Sequence, residues 1–342
     1  MRLRFLALFA IAALFLAKPA MSEEMPNLRP VTTGMAERLS EAAAAFADAA
    51  SRLHRTMDAA CAARDPRVAL QPELARTVEA WGRLIVLRLA PVTDAARLER
   101  VLFSPDPRDV TGRQLSALLA AEDEATFEAL PGKSVALRGL GALDRMSDRL
   151  KEPYACRLAQ AIAGEVAATA REIEAAATAF AQRLTDPGGE PYRTQAEAAS
   201  AILNALATST GALRDLTLRP ILGDDPATSR WRQAPLRRTE LTSTYIRAQI
   251  AGLTAAIGAL NLGEALPNTD ARLANQIAFE LATAARALNG LDGPLEERVS
   301  DGATRGRLNL AVINLASLEG LLTERLAGAL SLRLGFNSLD GD

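Results

Sequence analysis

Histidine is almost missing from this chain: its 342 residues contain one, His54. Histidine is the usual general base near neutral pH and the commonest ligand of catalytic zinc and iron. Most hydrolase and metalloenzyme sites therefore cannot be assembled from these side chains alone. No His-Glu-x-x-His occurs, which excludes a zincin site. The Glu-x-x-His pairs of di-iron bundles are missing too, since Ser51 stands three residues before His54. His54 itself lies in a helical pattern between Arg52 and Arg55 and reads as a surface or packing residue.

Other absences narrow the field further. Aromatic residues make up only 4% of the chain, and 39 basic residues face 41 acidic ones. With no basic surplus and few rings to stack on, a nucleic acid partner is not expected. No Gly-x-Ser-x-Gly occurs. Gly132-Lys133-Ser134 has the ending of a phosphate-binding loop, but the glycine required five residues earlier is Phe127.

Long apolar runs are also lacking, apart from Phe5–Ala17. That run follows Arg2 and Arg4, is shorter than the ~20 residues of a comfortable membrane span, and precedes Ala20-Met21-Ser22. Residues 1–22 are thus expected to be a secretory signal peptide, with an uncleaved anchor as the alternative. No cysteine follows the run to carry a lipid. Cleavage removes Arg2, Arg4 and Lys18 and no acid, leaving 36 basic and 41 acidic residues and a net charge of −5. The expected location is the periplasm or cell envelope, with no stable membrane span after cleavage. The two cysteines, Cys61 and Cys156, remain; an even count in an exported protein points to a disulfide. Two buried thiols, or a metal site shared with the single histidine, are the other readings.

What is present is alanine, leucine and a helical period. Apolar residues recur at three and four along Leu158, Ile162, Val166, Ala170, Ile173, Ala177, Phe180 and Leu184. They do so again along Leu308, Val312, Leu315, Leu318, Leu322, Leu326 and Leu330. Each is one buried helix face. Similar stripes mark about 34–63, 73–90, 111–121, 134–150, 192–219, 238–260 and 270–290. No strand pattern is visible. Asp65-Pro66 and Pro91 are expected to close the first two helices, and Ser134 to cap a later one. The strongest break is Asp186-Pro187-Gly188-Gly189-Glu190-Pro191. The expected fold is all-α: two packed helical bundles of about four helices each, over residues 23–186 and 192–342, with matched content that hints at an internal duplication.

Carboxylates remain as ligands for a hard cation: Asp106, Asp109, Asp144, Asp148, Asp340 and Asp342. No compact calcium loop unites them. Asp144 and Asp148 share a helix face with Arg145 and Arg149 beside them, so ion pairing on a solvated face is the ordinary reading.

Several segments in order carry a resemblance. They are Glu79-Ala80-Trp81-Gly82-Arg83, Ala90-Pro91-Val92, Val101-Leu102-Phe103-Ser104-Pro105-Asp106-Pro107-Arg108, and the ending Leu334-Gly335-Phe336-Asn337-Ser338-Leu339-Asp340-Gly341-Asp342. Together, over about residues 35–342, the chain resembles the imelysin family. The family signature Gly-x-His-x-x-Glu has its counterpart in Gly139-Leu140-Gly141-Ala142-Leu143-Asp144, where Gly141 replaces the histidine and Asp144 the glutamate. The resemblance implies pairing of Cys61 with Cys156, export, and a link to iron, a metal ion being the cofactor to test. It also implies a reported peptidase activity, which the lost histidine undermines. It places a pocket at Gly139, Gly141 and Asp144, with Asp106, Arg83, Arg108 or Arg138 nearby and Trp81 as a wall. Two glycines in one helical turn would also let another element pack closely. Three functions follow: a non-enzymatic envelope protein that binds a small ligand or envelope partner and serves iron or other metal uptake; a metallopeptidase-like hydrolase using a carboxylate-bound metal; and a helical scaffold.

Overall fold

The computed structural model describes residues 26–266, 271–289 and 291–335, and those residues are helical with no strand among them. The leader segment, Asp340 and Asp342 lie outside them. Among the described residues, nine α-helices of seven or more residues carry the architecture: α1 (Arg29–Ala62), α2 (Pro66–Ile85), α3 (Val110–Ala121), α4 (Leu140–Met146), α5 (Pro153–Thr185), α6 (Gln195–Ala212), α7 (Thr242–Gly258), α8 (Ala271–Ala287) and α9 (Gly302–Gly320).

The longest two, α1 and α5, have 34 and 33 residues, about 50 Å each. The periodic stripe from Leu158 to Leu184 is fully buried on α5, and Leu39, Phe46, Leu53 and Met57 of α1 face the same core. Each leucine, isoleucine, valine, phenylalanine or methionine among them contributes about 1.5–3 kcal/mol by leaving water. The pair is antiparallel. Cys61 at the end of α1 is bonded to Cys156 at the start of α5, with Cα atoms 6.0 Å apart. At the other end Gln195 accepts from the Thr32 hydroxyl at 2.7 Å and donates to the Thr185 carbonyl at 3.0 Å.

The packing order runs α5, α1, α2, α7, α8, α9, α6 and back to α1. Helix α2 of the first half thus lies along α7 of the second, and one continuous core joins them. Gly82 and Gly252 make this approach close: a Cβ at Gly82 would stand 2.6 Å from Ala248 Cβ, and one at Gly252 would stand 2.7 Å from the Arg83 carbonyl.

Local chemistry sets the ends. Asp65 accepts from Val68 N and Pro66 takes the first turn of α2, where its missing N–H costs nothing. Thr194 and Asp301 cap α6 and α9 through Glu197 N (3.2 Å) and Thr304 N (2.8 Å). Three expectations change. Pro91 does not close α2, which ends at Ile85; it opens a short helix, Ala90–Thr93, whose first turn tolerates it. The stripe over 134–150 is not one helix. Ser134 caps only a 3₁₀ turn, Val135–Leu137, and Gly139 is extended before α4 begins. Finally, α6 and α9 each run into a π-helical turn, Leu213–Leu218 and Leu321–Leu326, where Arg214 and Glu319 pair across the two helices.

Candidate functional site

Helix α4 starts where the chain passes tightly against a neighbouring backbone segment. A Cβ at Gly139 would lie 2.4 Å from the Val101 carbonyl and 2.7 Å from that of Arg100, so only glycine fits. Gly141 is different: a Cβ there meets only Leu102 Cδ1, at an ordinary 3.6 Å. Close packing therefore explains the first glycine and not the second. Gly141 instead borders a narrow slot of about 40 Å³ together with Asp144, Asp106, Thr111, Arg145 and the backbone of Gln233–Leu236. This volume matches roughly one water molecule.

Asp144 lies on α4 at the back of that slot and is 6% exposed. Its carboxylate is engaged. Oδ1 accepts from Thr239 N at 2.8 Å and from the Thr239 hydroxyl at 2.7 Å, and Oδ2 faces Arg238 N at 3.4 Å. These donors belong to the turn before α7, where Leu236 and Glu240 both hold left-handed backbone (φ 58° and 60°). Such residues persist only when their surroundings hold them, and Asp144 supplies part of that hold. Burial pushes its carboxyl above the ordinary range; the bonds from Thr239 and Arg238 and the charge of Arg145 oppose this without cancelling it.

The structure gathers Gly141, Asp144 and Asp106 at one slot and leaves the other expected members elsewhere. Asp106 caps α3, accepting from Val110 N at 2.8 Å and Thr111 N at 2.9 Å. Trp81 does not wall the slot: it is fully buried in the core, its ring 5.1 Å from that of Phe46. Among the described residues, no arginine side chain bonds Asp144. Arg83 pairs with Glu79 on α2 at 2.8 Å, Arg138 lies 3.8 Å from Glu165, and Arg108 is exposed. The reason is that the neighbouring turn brings backbone donors, which reach a buried carboxylate without bringing a second charge into the interior. Asp109 and Asp148 hold Arg145 and Arg67, at 2.5 and 2.8 Å. His54 is exposed on α1 beside Gly164.

A metal does not fit this donor set. Position 141 offers no side chain, both oxygens of Asp144 already face N–H and O–H groups, and no group of three or more His, Cys, Asp or Glu converges among the described residues. The residue that sequence reasoning missed is Thr239, 95 positions from its partner and carrying no motif.

A family model described as Imelysin matches residues 39–322. The crystal structure of an imelysin-like protein from Psychrobacter arcticum 273-4 superimposes with a TM-score of 0.76 at 16% sequence identity, covering 91% of this chain and 99% of that one. At that identity the likeness speaks for the fold alone. No curated protein matches the chain.

Proposed function

The chain belongs to the imelysin family, and on that premise we propose that it is an exported protein of the cell envelope that binds a ligand or partner and does not hydrolyse one. The observation that carries this reading is the state of the degenerate signature. Its acid is spent on holding the 235–241 turn, and its histidine position is a glycine with no donor to offer. A hydrolase using a carboxylate-bound metal would need several convergent acids with an open coordination position. Export is supported by the charged, apolar leader of residues 1–22 and by the Cys61–Cys156 disulfide, which suits an oxidising compartment. No helix among the described residues is long and apolar enough to cross a membrane. In this reading a part in iron or other metal uptake, which the family resemblance implies, is played without a metal ion seated between residues 141 and 144.

The test is calorimetric titration of the mature protein with ferrous iron, zinc, copper and calcium, together with a peptidase assay on an unstructured protein substrate. The expected result is no stoichiometric metal binding and no cleavage. One-to-one binding that Asp144→Ala abolishes, or metal-dependent proteolysis, overturns the reading.

A further inference from the structure

A second cavity, of about 180 Å³, opens beside the first, between the end of α2, the Leu98–Pro105 segment, the π turn of α6 and the start of α7. Its floor is closed by Ile85, Leu102, Ala212, Tyr245 and Gln249, all buried, and its rim is formed by exposed Glu99, Ser104, Pro105 and Leu216. Arg88 lines it. The guanidinium has no hydrogen bond and no carboxylate within ion-pair distance among the described residues. Arg88 is half-buried, with the buried residues Leu87 and Leu89 on either side of it in the chain. Gln249 is 6% exposed, and its Nε2 is buried with no acceptor. Tyr245 is 4% exposed, and burial keeps its hydroxyl protonated well past neutral pH. Thr217, on the π turn, completes the lining.

A half-buried cation and a fully buried amide N–H₂, both left without a protein acceptor, are costly to maintain. One missing group would satisfy them together: an anion whose oxygens accept from both. We propose that this cavity is a binding site for a small oxyanion, the carboxylate or phosphate group of a small molecule, held by Arg88 and Gln249 with Tyr245 as a further donor. An arginine fork suits the geometry of either group. Among the described residues, Glu99 is the one acid lining the cavity. It is exposed at the rim, attracts Arg88 at longer range without forming an ion pair, and so leaves the guanidinium open to a ligand. The π turn at Leu213–Leu218 is a further sign, since such turns are frequent at functional positions. The site uses neither Gly141 nor Asp144, so it stands whether or not the reading of the signature does.

The experiment is melting and calorimetry of the mature protein with sodium phosphate and with sodium succinate, chloride being used to hold ionic strength constant. Wild type is expected to show saturable stabilisation by at least one of the two anions, and which one identifies the headgroup. Arg88→Met is expected to weaken that binding by about tenfold or more, and Gln249→Leu to weaken it less. Without ligand, Arg88→Met is expected to melt at or above wild type, because a half-buried charge with no protein partner has gone. A purely structural arginine would give the reverse, a lower melting temperature with the anion response intact. That result overturns the proposal, as does the absence of any anion response in wild type at millimolar concentrations.

Discussion

Removing the carboxylate of Asp144 tests both the latch it forms and the sign of its electrostatics. Asp144→Ala leaves Thr239 N, a donor on a residue 2% exposed, with no acceptor, while the Thr239 hydroxyl can still turn to the Leu236 carbonyl at 3.3 Å. One buried N–H stranded in this way costs about 1–3 kcal/mol. For a chain of this length ~2 kcal/mol lowers the melting temperature by roughly 3 °C. Asp144→Asn keeps an acceptor oxygen for Thr239 and removes the charge. Its effect depends on pH in a defined direction. Burial raises the folded pKa above the unfolded value of about 3.9. The folded protein therefore holds this proton to a higher pH than the unfolded chain does. The contribution of the group is fully present below the unfolded pKa and is lost as pH rises through the raised folded value. Denaturant unfolding of wild type and Asp144→Asn between pH 4 and about pH 8 should show the wild type losing stability relative to the variant as pH increases. The reasoning fails if the wild type gains on the variant over that range, or if Asp144→Ala is as stable as wild type.

The two signature glycines should part company. Gly139→Ala forces a Cβ against the Val101 and Arg100 carbonyls and should cost about 1–3 kcal/mol, while Gly141→Ala, with space around it in a helix, should be neutral or stabilise by up to about 1 kcal/mol in denaturant melts. Replacing Cys61 and Cys156 together by serine opens a link between residues 95 apart and should cost about 4–5 kcal/mol in the chain-entropy model, read as a lower denaturant midpoint. Thr194→Ala and Asp301→Ala should each cost about 1 kcal/mol, since each removes the side-chain acceptor for the first turn of its helix.

The buried stripes of α5 and α9 lie where the three-and-four spacing places them, because a helix brings those residues to one face whatever surrounds it. The breaks at Asp65-Pro66 and 186–191 are equally local. The disulfide agrees with the even cysteine count, which needs no tertiary information to read. Where the sequence misleads, the outcome is decided by packing. The 134–150 stripe has the right spacing, but Gly139 must pass against the backbone at Val101, and the helix breaks there. Trp81 and Arg83 are neighbours in the chain and in the resemblance, yet they sit on different faces of α2. One reaches the core and the other the surface.

Of the signature region, the loss of the histidine and the retention of an acid were visible in the residues themselves, since they are a matter of identity. That Asp144 is buried, and bonded to Thr239 from the other half of the chain, was not. Arg88 left a trace, a lone charge inside Leu84-Ile85-Val86-Leu87-Arg88-Leu89-Ala90, but its cavity is assembled from α2, α6, α7 and the segment near Pro105. Helix period, caps and chain breaks are set by interactions within a few residues, and the sequence alone determines them. Whether a polar group is buried, and which donor or acceptor it meets there, depends on elements as far as 171 residues away. Only the tertiary structure decides it.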